Sequence, residues 1–199
     1  MAEVESSQSG LQKINVKMAI DAPSDLDLDV LLAIFGRWRL EEGEEVIDLA
    51  DYAHVDQGPG CLLVSHRWQF GIDQGGGEVG LFYSTRKDLK GSLAERFAQA
   101  IRGLVTKSAR LLAEEEFPRT AKARCERLEV IANDRLLLPN TDASDAAVRP
   151  ELDTTFGRLY GADSFQVERE TDPSRRLGYK VLAKSASGLS LDDLEKRLS

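Results

Sequence analysis

The chain is poor in the residues that usually carry chemistry: 199 residues include only two Cys, two His and two Met. Cys61 and Cys125 lie far apart, with no second thiol close to either. That excludes a disulfide framework and a Cys-x-x-Cys metal or redox motif, and it suits reduced thiols in the cytoplasm. No apolar run approaches the roughly 20 residues of a membrane span. The first residues, Met1 to Ser7, have neither a basic stretch nor an apolar one, so no secretory signal is expected. Basic excess is also lacking: 26 Lys and Arg stand against 34 Asp and Glu, a formal net charge of -8. Nucleic acid and anionic membrane surfaces are therefore poor partners, since both need clustered cations. There is no phosphate loop, dinucleotide fingerprint, His-Glu-x-x-His helix or nucleophile elbow. Nothing calls for a cofactor or a metal.

What is present is a globular composition, 42% apolar and 30% charged. The polar stretch 1–10 reads as a disordered tail, and 11–199 as a single domain large enough to fold without a metal or disulfide. Ile14, Val16, Met18 and Ile20 alternate with Asn15, Lys17 and Ala19, the pattern of a half-buried strand. Ser24 or Asp25 is placed to cap a helix carrying Leu31, Ile34, Phe35 and Trp38. Three strands are expected at 46–55, 61–73 and 78–87, separated by Gly-rich turns at 57–60 and 74–77. Ser92 and Glu95 form a capping box for the longest helix, and the run Glu114 to Glu116 should fray its end. A strand at Leu128, Val130 and Ala132 comes next. Pro150 is placed to open a short helix, with a hairpin at 165–170 and 178–184 and a helix capped by Ser190 after it. The fold class is α+β: an antiparallel or mixed sheet containing a three-stranded meander at about 45–87, with helices mainly on one face.

One constellation stands out. If 57–60 is the loop, Ile47 faces Phe70, Leu49 faces Trp68, Ala53 faces Val64, and Val55 faces Leu62. The same register sets Asp51 against His66 on the apolar side. If 74–77 is the next loop, His66 in turn faces Thr85. A buried carboxylate orienting an imidazole, with a hydroxyl beyond, is the arrangement that nucleophilic catalysis uses. A structural polar bridge fits the same residues. This register turns His54 and His66 to opposite faces, which argues against a metal site built from Asp48, Asp51, His54, Asp56 and His66.

Tyr52 and His54 sit near the hairpin mouth as candidate ligand contacts. Asp134 and Arg135 form either an anion clamp or an ordinary Asx turn, and Arg86 is a second candidate for holding an anionic group. The favoured function is a non-enzymatic binding or protein-interaction domain, self-associating through the uncovered sheet face or taking a protein partner. A small anionic ligand is the other partner class considered. The alternative is a small hydrolase or transferase centred on Asp51, His66 and Thr85.

Overall fold

A computed structural model describes residues 10–22, 26–52, 59–73, 79–184 and 188–198. These form one eight-stranded sheet and four helices in the order β1 (Ile14–Asp21), α1 (Leu28–Glu42), β2 (Val46–Asp51), β3 (Pro59–Ser65), β4 (Trp68–Asp73), β5 (Gly80–Thr85), α2 (Leu93–Ala113), β6 (Lys122–Ala132), α3 (Asp142–Tyr160), β7 (Phe165–Arg169), β8 (Gly178–Ala183) and α4 (Leu191–Leu198). Every strand pair is antiparallel, and the spatial order is β2-β3-β4-β5-β1-β6-β8-β7. The α+β class with an antiparallel sheet is therefore as expected. Strand β1 is central because both β5 and β6 pair with it.

The period-two pattern explains why the helices gather on one side. Ile14, Val16 and Met18 of β1, Phe70 and Ile72 of β4, Leu128 and Val130 of β6, and Tyr179 and Val181 of β8 are all nearly or fully buried. They meet the apolar stripes of the helices. From α1, Phe35 and Trp38 pack on Phe70 with ring centroids 5.8 and 6.1 Å apart. From α2, Phe97, Ile101, Leu104 and Val105 are fully buried. Each such side chain adds about 1.5–3 kcal/mol of burial free energy.

Several boundaries differ from the expectation. The segment 61–73 is two strands, not one, with a tight turn at His66 and Arg67. Ser65 makes that turn. Its Oγ accepts from the backbone N–H of Arg67 at 3.0 Å and of Trp68 at 3.1 Å, and donates to Glu45 Oε1 at 2.9 Å. A serine hydroxyl bonding the backbone ahead of it is a local alternative to the strand ladder. The three-stranded meander is thus a four-stranded one.

Helix α3 begins at Asp142, capped by the Thr141 side chain on Ser144 N, and runs through Pro150. Proline in a helix interior costs about 3 kcal/mol, yet Leu152, Phe156 and Leu159 beyond it are fully buried and Ser144 and Val148 before it are anchored too. Tertiary burial outweighs the local penalty. Fraying after α2 is also prevented: Glu114 accepts from Trp38 Nε1 at 2.6 Å and from Arg37 at 2.8 Å. The capping box of Ser92 and Glu95 is formed as expected. The cap of α1 is Asp27, which accepts from Asp29 N; Ser24 and Asp25 lie outside the described residues, as do the turn 74–77, the first half of the turn 57–60 and most of the tail.

Candidate functional site

The register overturns the expected meeting of Asp51 and His66. Asp51 pairs with Cys61, Ala50 with Leu62 and Leu49 with Leu63. His66 follows Ser65, which pairs with Val46 at the other end of β2. His66 lies five positions along the chain from Cys61, or about 16 Å of extended strand. Both Asp51 and His66 are exposed, so the buried pair does not form. Thr85 faces Trp68, not His66. Its Oγ1 donates to Gln12 O at 2.7 Å and accepts from Ile14 N at 2.9 Å, which fastens the start of β1. A buried hydroxyl committed in both roles is a clasp and has no place as a nucleophile.

The remaining predicted residues fall in separate places. Tyr52 stands at the far end of β2, 38% exposed. His54 lies outside the described residues. Arg86 joins the turn at His66, with its guanidinium donating to Ser65 O at 3.0 Å and its own N–H to Arg67 O at 2.8 Å. Asp134 makes the Asx turn: its Oδ1 accepts from Leu136 N and Leu137 N, both at 3.2 Å. Arg135 is exposed beside it. His66, Thr85, Arg86, Asp134 and Arg135 thus share one end of the sheet, since Asn133 N bonds Lys13 O next to the Thr85 clasp on Gln12. Asp51 and Tyr52 are at the opposite end.

Other polar clusters have structural explanations. Lys107 lies over the Trp68 ring at 4.2 Å and near Trp38 at 5.8 Å, and pairs with Glu42. Burial lowers its pKa. An aromatic pocket of this kind attracts cations, and here the chain's own lysine fills it, bracing α1, α2 and β4. Buried Asn140 donates to Glu170 O and Asp172 O and accepts from Arg169, whose guanidinium also reaches Asp142 at 2.7 Å. That network fixes the connection before α3 to β7. Cys61 and Cys125 are both buried, and burial pushes their thiols up to about 12 and about 11. Thiolate reactivity is suppressed at both. Among the described residues no group of three or more His, Cys, Asp or Glu comes together to hold a metal ion, and no helix is long and apolar enough to cross a membrane.

Among the described residues, the other face of the sheet is left open. The intervening positions of the strands point away from the helices. They line a concavity of about 570 Å³ that reaches from Asp73 at the end of β4 across β5, β1, β6, β8 and β7 and includes Phe82, Ile131 and Leu182. Its charged lining comprises Lys17, Arg127, Arg175 and Lys180 against Asp73, Glu129, Glu168 and Glu170. Four of each sign make a locally neutral patch on a chain of net charge -8. Lys17 pairs with Asp73 at 2.9 Å. Along one cross-strand row the signs alternate: Lys17 opposite Glu129, Glu129 opposite Lys180, Lys180 opposite Glu168. Beside it Ser84 donates to Asn15, which also accepts from Asn133 at 3.2 Å. The period-two pattern marks Asn15, Lys17 and Ala19 as the outward side of β1. It gives no sign that β6, β8 and β7 continue that side into one surface, because strand order is invisible locally. No family model and no curated protein matches the sequence.

Proposed function

We propose that this chain is a binding domain that takes its partner on the open face of the sheet. The observation that supports the reading is the one-sided packing of the helices. It leaves a broad concave sheet surface in which Phe82, Ile131 and Leu182 lie among balanced charges. Leu182 is 44% exposed. A concave patch of apolar groups with convergent polar groups is the usual form of a recognition surface. The charge balance favours a partner that itself presents both signs. The rival hydrolase or transferase reading loses its motivation with the separation of Asp51 from His66.

The test is a thermal-shift screen across peptides and metabolites, followed by titration of any compound that raises the melting temperature. Leu182→Asp and Ile131→Asp place carboxylates on the open face, while Leu40→Asp alters α1, where Leu40 is 84% exposed. The reading expects the first two to weaken a bound compound at least tenfold and the third to leave it unchanged. Compounds that bind all three variants with parental affinity would place recognition elsewhere.

A further inference from the structure

The pattern of charge on the open face selects a partner. We infer that the open face is an interface between two copies of this chain, related by a two-fold axis running along the strands between β6 and β8. This inference rests on the open face being the binding surface.

The alternating row crosses four strands. In spatial order across β1, β6, β8 and β7 it reads Lys17, Glu129, Lys180, Glu168. Neighbouring strands lie about 4.8 Å apart, so the four charges span about 14 Å. A two-fold axis along the strands at the middle of this row reverses the row in the facing copy. Lys17 then meets Glu168 of the partner subunit, and Glu129 meets Lys180 of the partner subunit. Each contact occurs twice, and all four are attractive. An axis at right angles to the strands would instead set every residue against its own copy, four like-charge meetings. Complementarity therefore favours the axis along the strands over the axis at right angles to them. Either axis keeps the strands of the two sheets aligned, so charge makes the choice; faces about 10 Å apart leave a separation that a lysine and a glutamate span together.

The apolar residues agree with that axis. Ile131 and Gly178 are opposite each other in β6 and β8, on either side of it. Ile131 leans across, since a Cβ on Gly178 would lie 3.3 Å from its Cγ1. Ile131 of each copy thus reaches the axis, where the two meet. In the adjacent row Arg127 is opposite Leu182, so Leu182 covers the aliphatic stem of Arg127 in the facing copy. Four strands overlap over about five residues, a footprint near 320 Å² per copy by strand spacing and rise. That is below the size of a standard stable interface, so the dimer is weak, concentration-dependent and sensitive to salt.

Analytical ultracentrifugation of the full chain tests this. At about 0.5 mM protein and about 20 mM salt, the apparent mass should rise from 22.0 kDa towards twice that value. It should return to the monomer at about 0.5 M salt, where the screening length is only a few ångströms. Glu129→Lys alone and Lys180→Glu alone should each stay monomeric, because each creates two like-charge contacts. Mixed in equal amounts they should associate, because each supplies the charge the other lacks. Should a single variant fail to fold, the double variant carries the test. It keeps the pairing within the chain and should dimerise with itself but not with the parent. A parental chain that stays monomeric under these conditions overturns the inference, while the thermal-shift screen still decides whether the open face binds something else. Single variants that dimerise as the parent does, a mixture that does not associate, or a double variant that pairs freely with the parent would each overturn it too.

Discussion

Removing the Ser65 hydroxyl is the sharpest probe of how this chain folds around its meander. Ser65 is fully buried, and its Oγ is the acceptor for the N–H groups of Arg67 and Trp68 and a donor to Glu45. In Ser65→Ala the Arg67 N–H can turn to water, because Arg67 is exposed. The Trp68 N–H is buried and has no such recourse. An unsatisfied buried donor costs about 1–3 kcal/mol, and the lost bond to the Glu45 carboxylate adds to it. The expected loss is about 2–3 kcal/mol, a substantial share of the 5–15 kcal/mol typical of a domain. In melting temperature this is about 4–12 °C for a chain of this size. Urea denaturation followed by tryptophan fluorescence measures it, with Trp68 itself reporting the turn. His66→Ala is the companion measurement. An exposed turn residue should change stability by less than about 0.5 kcal/mol. If His66→Ala proved the more damaging of the two, the turn at 66–67 would be wrong and a continuous strand with a buried His66 would be right.

Further outcomes follow from the same packing. Gly103→Ala should destabilise by about 1–3 kcal/mol through overpacking, because an added Cβ would lie 2.4 Å from the Tyr83 ring that stacks on Trp68; a changed near-ultraviolet circular dichroism spectrum is the check. Gly157→Ala, in α3, should stabilise by about 0.5–1 kcal/mol, since nothing lies within 4 Å of its Cβ; no gain in denaturation midpoint would contradict this. The hydrogen bond from Trp38 chiefly, and then Arg37, holds the Glu114 carboxyl below the ordinary carboxylate range. A folded-state pKa below the unfolded one contributes stability that is fully present above about pH 4.3 and is lost as pH falls through the folded value. Glu114→Gln should therefore be less stable than the parent at pH 7, and the gap should close towards pH 3 in urea titrations. Buried thiols at Cys61 and Cys125 should resist a disulfide reagent at pH 8 in the native protein and react once it is denatured; rapid native labelling would show that the sheet opens there.

The sequence reveals class and core more readily than register. Alternation in β1 and the capping box at Ser92 specify those elements locally, and both form as their residues suggest. The misplacement of Asp51 has a definite source. Cys61, Leu62, Leu63 and Val64 are apolar without a break, so the alternation that should fix which side faces the core is hidden. The inward residues are Cys61, Leu63 and Ser65 before the turn but Trp68, Phe70 and Ile72 after it. Such a change from odd to even is the signature of a two-residue turn, and Ser65 with its forward hydrogen bonds is the only local sign of it. Between β4 and β5 the expected pairing is off by two residues, with Trp68 opposite Thr85 and not Tyr83. An even slip leaves the faces intact, which is why the aromatic core was legible while its partners were not. The open surface was legible least of all, because it is assembled from β5, β1, β6, β8 and β7 across more than 150 residues of chain. Only topology brings Lys17, Glu129, Lys180 and Glu168 into line.

Methyl NMR with a dissolved gadolinium chelate tests most directly whether that surface is where the chain recognises its partner. On raising the protein concentration at low salt, or on adding a compound that stabilises the chain, relaxation of the Ile131 and Leu182 methyls should fall while that of Leu40 and Leu136 stays constant. Ile131 and Leu182 methyls that remain as accessible as before, while association or binding is measured in the same sample, would contradict the account.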